Sequence, residues 1–471
     1  MSPTNSIQSP FHAFKQIAVI GAAGKMGSGI SLLLLEEMAA CHFIQKIQKE
    51  ENGKSASHMR LFLIDSSHNR LDGLRQYLES QLLRWAEKKI VFLRDAVKHI
   101  DSLISNREII DYFILEAFKI VYFSSSLEEA KNTELIFEAI VEDIETKILT
   151  LGRLKKISSV CPYFFSNTSS IPIFTINSQA SLDNKIIGFH FYNPPAVQKL
   201  IEIIPLEDGN QSLKSLAISI AAQLNKKVIF SKDVAGFIGN GYFLREIIFS
   251  CALVETLSSQ HGTLQAVYMV NKVSQDFLLR PMGIFQLIDY VGLDVVVKIG
   301  TIMNHYLQLP LNYTALFFPL LEAGKIGGQH PDGSQKDGFF SYVGNKIIEI
   351  FSESEKHYGP IEATDWKKTC DEWLGKHPRD LTWKTLSKDP QKIEAIRSYF
   401  AQLQGVETPG AQLAIDFLKN LQKIALNLVN DGVVESLKDV DAVLKEGFYH
   451  LYGISEIELK SNHHKGLYAT I

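Results

Sequence analysis

Two stretches of this chain combine residue types that can move a proton. Gly188-Phe189-His190-Phe191-Tyr192-Asn193-Pro194-Pro195 places a histidine at the end of an apolar run, and Glu202 follows twelve residues after it. An imidazole titrates near neutrality, which suits general acid–base work. A carboxylate returning across the Asn-Pro-Pro turn would fix the ring's tautomer and orient it. A lone strand histidine is more often structural. Here it is joined by Ser166-Asn167-Thr168-Ser169-Ser170, a row of hydroxyl and amide groups just beyond the apolar run Tyr163 to Phe165.

A third stretch is suited to binding. The run Ile17 to Ile20 reads as a buried strand, followed by Gly21-Ala22-Ala23-Gly24-Lys25-Met26-Gly27-Ser28-Gly29 and a helical composition from Ile30 to Met38. Backbone N–H groups at a helix start carry partial positive charge and can hold a pyrophosphate where glycines leave room. Gly21, Gly24 and Gly27 have that context, although the turn is one residue longer than the usual dinucleotide turn. The next strand ends at Asp65, whose carboxylate can accept both hydroxyls of an adenosine ribose and would repel a 2′-phosphate, favouring NAD over NADP. Asp65 comes 44 residues after Gly21, against about 20 in the common pattern. The excess falls in the polar segment Cys41 to Met59, expected to be a surface insertion.

These groups need a frame. Apolar runs recur at Leu61–Ile64, Ile120–Phe123, Leu135–Ala139, Tyr163–Phe165, Ile186–Tyr192, Ile201–Pro205 and Lys227–Phe230, mostly separated by helical patterns. That alternation predicts an α/β doubly wound, mostly parallel sheet of Rossmann type. Arg70 to Phe118 is helical and too long for one crossover, so a helical hairpin is expected to project from the sheet. After Asp233 apolar residues recur at helical spacing, predicting an all-α region interrupted by the glycine-rich stretch Gly324 to Gly333, the best internal boundary. A weak repeat links Ala252-Leu253-Val254-Glu255-Thr256-Leu257 with Gly432-Val433-Val434-Glu435-Ser436-Leu437.

Composition bounds the function. With 46% hydrophobic and 21% charged residues among 471, the chain is an ordinary globular protein rather than a disordered or low-complexity one. A net charge of −4 provides no global field for nucleic acid or an anionic membrane, and no nucleic-acid partner is expected. Cys41, Cys161, Cys251 and Cys370 lie far apart without metal-type pairing, so no metal site and a reduced, cytoplasmic setting are expected. The first fourteen residues lack the basic and apolar regions of a signal peptide, and no apolar run is long enough for a membrane span.

In combination the motifs resemble the L-3-hydroxyacyl-CoA dehydrogenase family over most of the chain. The resemblance rests on the glycine turn, Phe137-Glu138-Ala139-Ile140-Val141-Glu142, Ser166 to Ser170 and His190 to Glu202. It extends through Asp233-Val234-Ala235-Gly236-Phe237-Ile238-Gly239-Asn240, Arg280 to Asp294, and Gly338-Phe339-Phe340-Ser341-Tyr342. It implies that His190 is the base, oriented by Glu202, and that Ser169, Asn193 and Asn240 hold the substrate. Lys25, Met26, Ala139, Glu142, Lys147, Asn167, Ser169 and Asn193 would join the glycines and Asp65 in binding NAD. The helical hairpin resembles a CoA-binding arm, on which Arg84 is the candidate phosphate contact. The pattern departs at Gly241, where the family usually has Arg, and at Ile284 and Gln286 in place of Pro and Glu.

The implied division is a flexible N-terminus at 1–14, an NAD-binding domain at 15–231 and a helical domain at 232–342. A second, degenerate helical copy at 343–471 completes it, the helical type being that of the 6-phosphogluconate dehydrogenase C-terminal region. A second copy could cover an apolar face within one chain, so a homodimer and an internally paired monomer both stand. No hydratase-like segment precedes the nucleotide-binding domain, so an enoyl-CoA hydratase or thiolase would be a separate protein. The expected activity is NAD-dependent oxidation of an L-3-hydroxyacyl-CoA. The alternatives are a same-fold dehydrogenase of a non-CoA hydroxy acid and a catalytically silent NAD-binding regulator.

Overall fold

The computed structural model describes residues 16–52, 59–310, 312–330, 333–362 and 364–459; the expected flexible stretch 1–14 lies outside them. The chain divides into two compact units that part between Val234 and Ala235.

The first unit is built on one eight-stranded sheet. Its strands are β1 (Gln16–Ile20), β2 (Arg60–Ile64), β3 (Val121–Ser124), β4 (Leu135–Glu138), β5 (Tyr163–Ser166), β6 (Ile186–Phe191), β7 (Leu200–Ile204) and β8 (Lys227–Phe230). They lie in the order β3-β2-β1-β4-β5-β6-β7-β8. Neighbours run parallel except at β6–β7, the antiparallel step. The central strands are apolar over most of their length and buried almost throughout because helices cover both faces, as in doubly wound sheets. The eight predicted apolar runs become these eight strands.

The helices are α1 (Lys25–Asn52), α2 (His68–Lys88), α3 (Ile90–Ala96), α4 (Asn106–Phe118), α5 (Ile144–Ile157), α6 (Ile173–Gln179) and α7 (Gln211–Gln223). Two expectations are corrected here. The residues from Cys41 to Asn52 are not a surface insertion: they continue α1, with Phe43 and Ile47 buried. Residues 53–58 lie outside the described structure. The hairpin of α2 and α4 is also not a free projection, because both helices pack along α1. Its apolar faces (Leu71, Leu74, Leu78 and Leu82; Ile109 and Phe113) share one core with Phe43. The buried Glu116 of α4 takes Lys46 at 2.7 Å and Lys119 at 2.5 Å, tying the long α1 to the hairpin. The Lys25–Gln48 segment is apolar and long enough to cross a membrane by length and composition, yet its apolar side chains are mostly buried in this core.

In the second unit α8 (Gly239–His261), α9 (Thr263–Lys272), α10 (Ile284–Val291), α11 (Leu293–Leu307) and α12 (Tyr313–Glu322) come first. The all-α expectation then fails. An antiparallel meander follows, β9 (Phe340–Val343), β10 (Lys346–Ser352) and β11 (His357–Pro360). Val343 pairs with Lys346 around the two-residue turn Gly344-Asn345, with Gly344 at φ 62°. That short glycine–asparagine turn between alternating strands is the signal that helical periodicity obscured. The boundary drawn at 343 therefore falls within a strand. The chain continues as α13 (Asp365–Leu374), α14 (Trp383–Leu386), α15 (Lys392–Leu403), α16 (Pro409–Asn430) and α17 (Leu437–Gly447).

The glycine-rich stretch is no boundary either. Gly328 donates its N–H to the Asp289 carbonyl at 2.7 Å. The Asp289 carboxylate accepts from the N–H groups of Phe339 (2.6 Å) and Phe340 (3.0 Å) and from the Tyr342 hydroxyl (2.8 Å). Two of the quoted motifs are thus halves of one buried structural knot.

Candidate active site

The glycine turn closes β1 at the centre of the sheet, beside the switch point where the order leaves β1 for β4. Gly21 has φ 79°, and a Cβ there would come within 2.6 Å of the Ala139 carbonyl. A Cβ on Gly27 would strike the Gly21 carbonyl, so α1 can begin this close to the strand only with glycine. The first turn of α1 opens on a cleft of about 720 Å³ lined by Gly21, Gly24, Lys25, Met26, Asp65, Arg70, Ala139 and Ile140, among others. The added residue in the turn is accommodated without losing the strand–turn–helix geometry. A cradle of this kind, where glycines let a helix start open on a cleft, fits a dinucleotide pyrophosphate.

Asp65 ends β2 on this cleft. One carboxylate oxygen accepts from the Ala23 N–H at 3.2 Å; the other takes the Ser67 N–H at 3.1 Å and the Arg70 guanidinium at 3.0 Å. Asp65 therefore braces the glycine turn as well as lining the cleft. The long α1 explains its separation from Gly21: the added residues extend the helix and leave β2 paired with β1 in register, Ile20 opposite Ile64.

At the ends of β4 and β5 lies a buried charge cluster. Lys147 of α5, 1% exposed, reaches Glu138 at 2.6 Å and Glu142 at 3.4 Å. The second Glu138 oxygen accepts from Ser166 at 2.6 Å. Glu142 accepts from the Thr168 hydroxyl (2.8 Å), the Ser169 and Ser170 N–H groups (2.9 Å each) and the Ser170 hydroxyl (2.6 Å). Burial opposes charge on Glu142, but Lys147 and these donors outweigh it and hold its carboxyl below the usual range. Burial likewise opposes charge on Lys147, and the two carboxylates raise it above its ordinary value. The Ser166–Ser170 loop is folded around Glu142, and Ser169 stands on it half-buried. Asn167 accepts from the Phe191 N–H at 2.8 Å, tying the end of β5 to β6.

His190 and Glu202 are direct register partners in the β6–β7 pair. The imidazole Nδ1 lies 3.3 Å from Glu202 Oε1; His190 is 8% exposed and Glu202 fully buried. Nδ1 donating to the carboxylate leaves the lone pair of the neutral ring on Nε2, the tautomer a general base needs. The Tyr192 hydroxyl donates to the same Oε1. Asn193 stands half-buried in the turn joining the two strands. The Lys226 ammonium secures that turn by donating to the Pro195 and Gln198 carbonyls, each at 2.6 Å.

Asn240 is the second residue of α8 in the other unit. Arg84 is exposed on α2 and is not among the cleft residues. Sequence reasoning missed Glu138, Ser166, Thr168, Ser170, Tyr192 and Lys226 as site residues. Tyr192 was recoverable, since residues two apart on a strand share a face. Lys226 carried no local signal.

A dinucleotide cradle, a histidine–carboxylate pair and a hydroxyl-rich loop at one sheet's edge define a nicotinamide-dependent dehydrogenase. The comparisons specify which: the 3-hydroxyacyl-CoA dehydrogenase NAD binding domain matches residues 53–234, and that family's C-terminal domain matches 236–337. Together they span more than half of the chain, which belongs to the 3-hydroxyacyl-CoA dehydrogenase family. The first match begins beyond the glycine turn and α1, the part that the helix extension alters. The mitochondrial hydroxyacyl-coenzyme A dehydrogenase of Sus scrofa is 26% identical over 70% of this chain and 91% of its own length. A probable 3-hydroxybutyryl-CoA dehydrogenase of Bacillus subtilis is 26% identical over 62% and 85%. The crystal structure of 3-hydroxybutyryl-CoA dehydrogenase from Escherichia coli shares the fold, with a TM-score of 0.58 and 17% identity over 94% of this chain and 90% of that one.

Proposed function

We propose that this protein oxidises the 3-hydroxyl of L-3-hydroxyacyl-CoA thioesters to the ketone with NAD, in fatty-acid β-oxidation or related acyl-CoA degradation. The observation that carries this reading is the buried His190–Glu202 pair at the carboxyl end of β6, on the sheet that holds the dinucleotide cradle. Bound NAD would supply the hydride acceptor. His190 Nε2 takes the hydroxyl proton, and Glu202 holds Nδ1–H and balances the imidazolium charge. Ser169 and Asn193 position the substrate's oxygens, and the family resemblance alone assigns Asn240 to the substrate. The glycine turn with Lys25 and Met26 holds the pyrophosphate, and Asp65 the adenosine ribose. Ala139, Glu142, Lys147 and Asn167 shape the nicotinamide-ribose side, and Arg84 meets a CoA phosphate. The setting is cytoplasmic, in keeping with four free cysteines among which Cys161 is exposed.

The reading is tested by following NADH absorbance with acetoacetyl-CoA for wild type and His190→Ala. Consumption by the wild type alone is expected. Turnover that free CoA does not inhibit would indicate a non-CoA hydroxy acid instead, and bound NADH without turnover on any acyl-CoA a silent regulator.

Residues beyond the meander are read as a second, degenerate helical copy. Support comes from a recurring device. A Cβ on Gly283 would strike the Asn271 side chain, whose Oδ1 accepts the Gln286 N–H at 3.0 Å. A Cβ on Gly453 would strike Asp441, whose Oδ1 accepts the Ser455 N–H at 3.1 Å. The polar residue precedes its glycine by twelve positions in both places. In addition α16 packs on α8 within the unit, which favours the internally paired monomer over a homodimer.

A further inference from the structure

Glu202 Oε1 is shared. It accepts from His190 Nδ1 at 3.3 Å, long for a charge-assisted bond, and from the Tyr192 hydroxyl at closer range. The Tyr192 ring also packs on the imidazole with centroids 5.1 Å apart. We propose that Tyr192 is a positioning residue that acts through Glu202, drawing the carboxylate's charge toward its own hydroxyl and so weakening the ion pair available to protonated His190. The proposal rests on the dehydrogenase reading for its meaning, since a base must be unprotonated to accept the hydroxyl proton.

The physical chain is short. An imidazolium is stabilised by the negative charge opposite it, and a second donor on the same oxygen disperses that charge. Burial and the Glu202 carboxylate hold the Tyr192 phenol well above its usual range, so it remains a donor through the working pH. Across the sheet on β8 the register partner of Glu202 is Ile229. On the β5 side the charged groups are Glu142 and Lys147, already paired with each other. Removing the Tyr192 hydroxyl therefore concentrates the Glu202 charge on His190 and raises the imidazole's proton affinity. In the oxidation direction the acidic limb of kcat/KM moves to higher pH.

The test is Tyr192→Phe, which keeps the ring and its packing and deletes one oxygen. The acidic limb is expected to rise by about half a pH unit, read as a roughly three-fold deeper loss of kcat/KM near pH 6 relative to the plateau. An independent arm titrates His190 by nitrogen-15 NMR in wild type and Tyr192→Phe, the signal being assigned by its loss in His190→Gln. An upward shift there supports the proposal whatever substrate the protein uses. Unchanged titration, or superimposable pH profiles in an active variant, overturns it. Absent acyl-CoA turnover with a shifted His190 titration would count against the substrate reading alone.

Discussion

His190 and Glu202 face each other across the antiparallel step of an otherwise parallel sheet, register partner to register partner. A twelve-residue separation in sequence is thereby reduced to one cross-strand pair, the closest side-chain neighbours a sheet provides. Backbone hydrogen bonds on β6 and β7 hold both groups, so the tautomer is set by the sheet rather than by a loop. His190→Gln should lower kcat by about 10²–10⁴-fold while NADH still binds. Steady-state rates beside an NADH fluorescence titration check this, and a near-normal rate would remove His190 as the base.

Lys147 joins the buried carboxylate of Glu138 to the partly buried carboxylate of Glu142. Lys147→Met would leave the buried Glu138 without its ion-pair partner, a loss of about 3–5 kcal/mol of stability. Urea unfolding of the variant measures it. The pH dependence follows from the directions of the two shifts. Glu142 is depressed, so its contribution is present above its ordinary value of 4.5 and is lost as pH falls through the lower native value. Lys147 is raised, so its contribution is complete below 10.5 and is lost only as pH rises through a still higher value. Glu142→Gln should flatten the acid side of the stability curve.

Glu36 of α1 has the opposite sign. Burial, with Glu37 beside it, pushes its carboxyl up to about 7. The folded state then favours the protonated form, and stability declines as pH rises from the ordinary value of 4.5 through 7. Glu36→Gln should raise Tm over wild type at about pH 8 and have little effect at about pH 4. A Tm difference independent of pH would show that ionisation of Glu36 costs the fold nothing.

Lys226 donates to two carbonyls of the turn between His190 and Glu202. Lys226→Met would leave both carbonyls without this donor, at about 1–3 kcal/mol, and loosen the turn that carries Asn193. Lower kcat with little change in NADH affinity is expected, with partial rescue by Lys226→Arg. Equal Tm and kcat in Lys226→Met and wild type would mean the turn holds without it.

If the second helical copy serves in place of a partner subunit, sedimentation equilibrium should return one species near the chain mass of 52.9 kDa. A stable dimer at micromolar protein would show that the apolar face is still shared between chains.

Much of this was legible in the residues themselves. The strands of the parallel sheet are short, continuous apolar runs, and burial on both faces leaves a sheet little other pattern. The glycine turn, Asp65, His190 and Glu202 were visible because each has a local chemical requirement that few residue types meet. The meander at Phe340–Pro360 was hidden by apolar spacing that suits a helix as well as a strand. The extended α1 was misread because polar residues at its surface resemble a loop until the partner of its buried face is known. Only the tertiary structure supplied α4 as that partner, with Glu116 receiving Lys46. It also gathered Lys147 with Glu138 and Glu142, Tyr192 with Glu202, and Lys226 with the turn at Pro195. The local sequence determined which segments form strands and helices and which groups could do chemistry, because those follow from single residues and their near neighbours. Which charges neutralise one another, and how strongly the base is held, depended on chain crossings and burial, which no local pattern encodes.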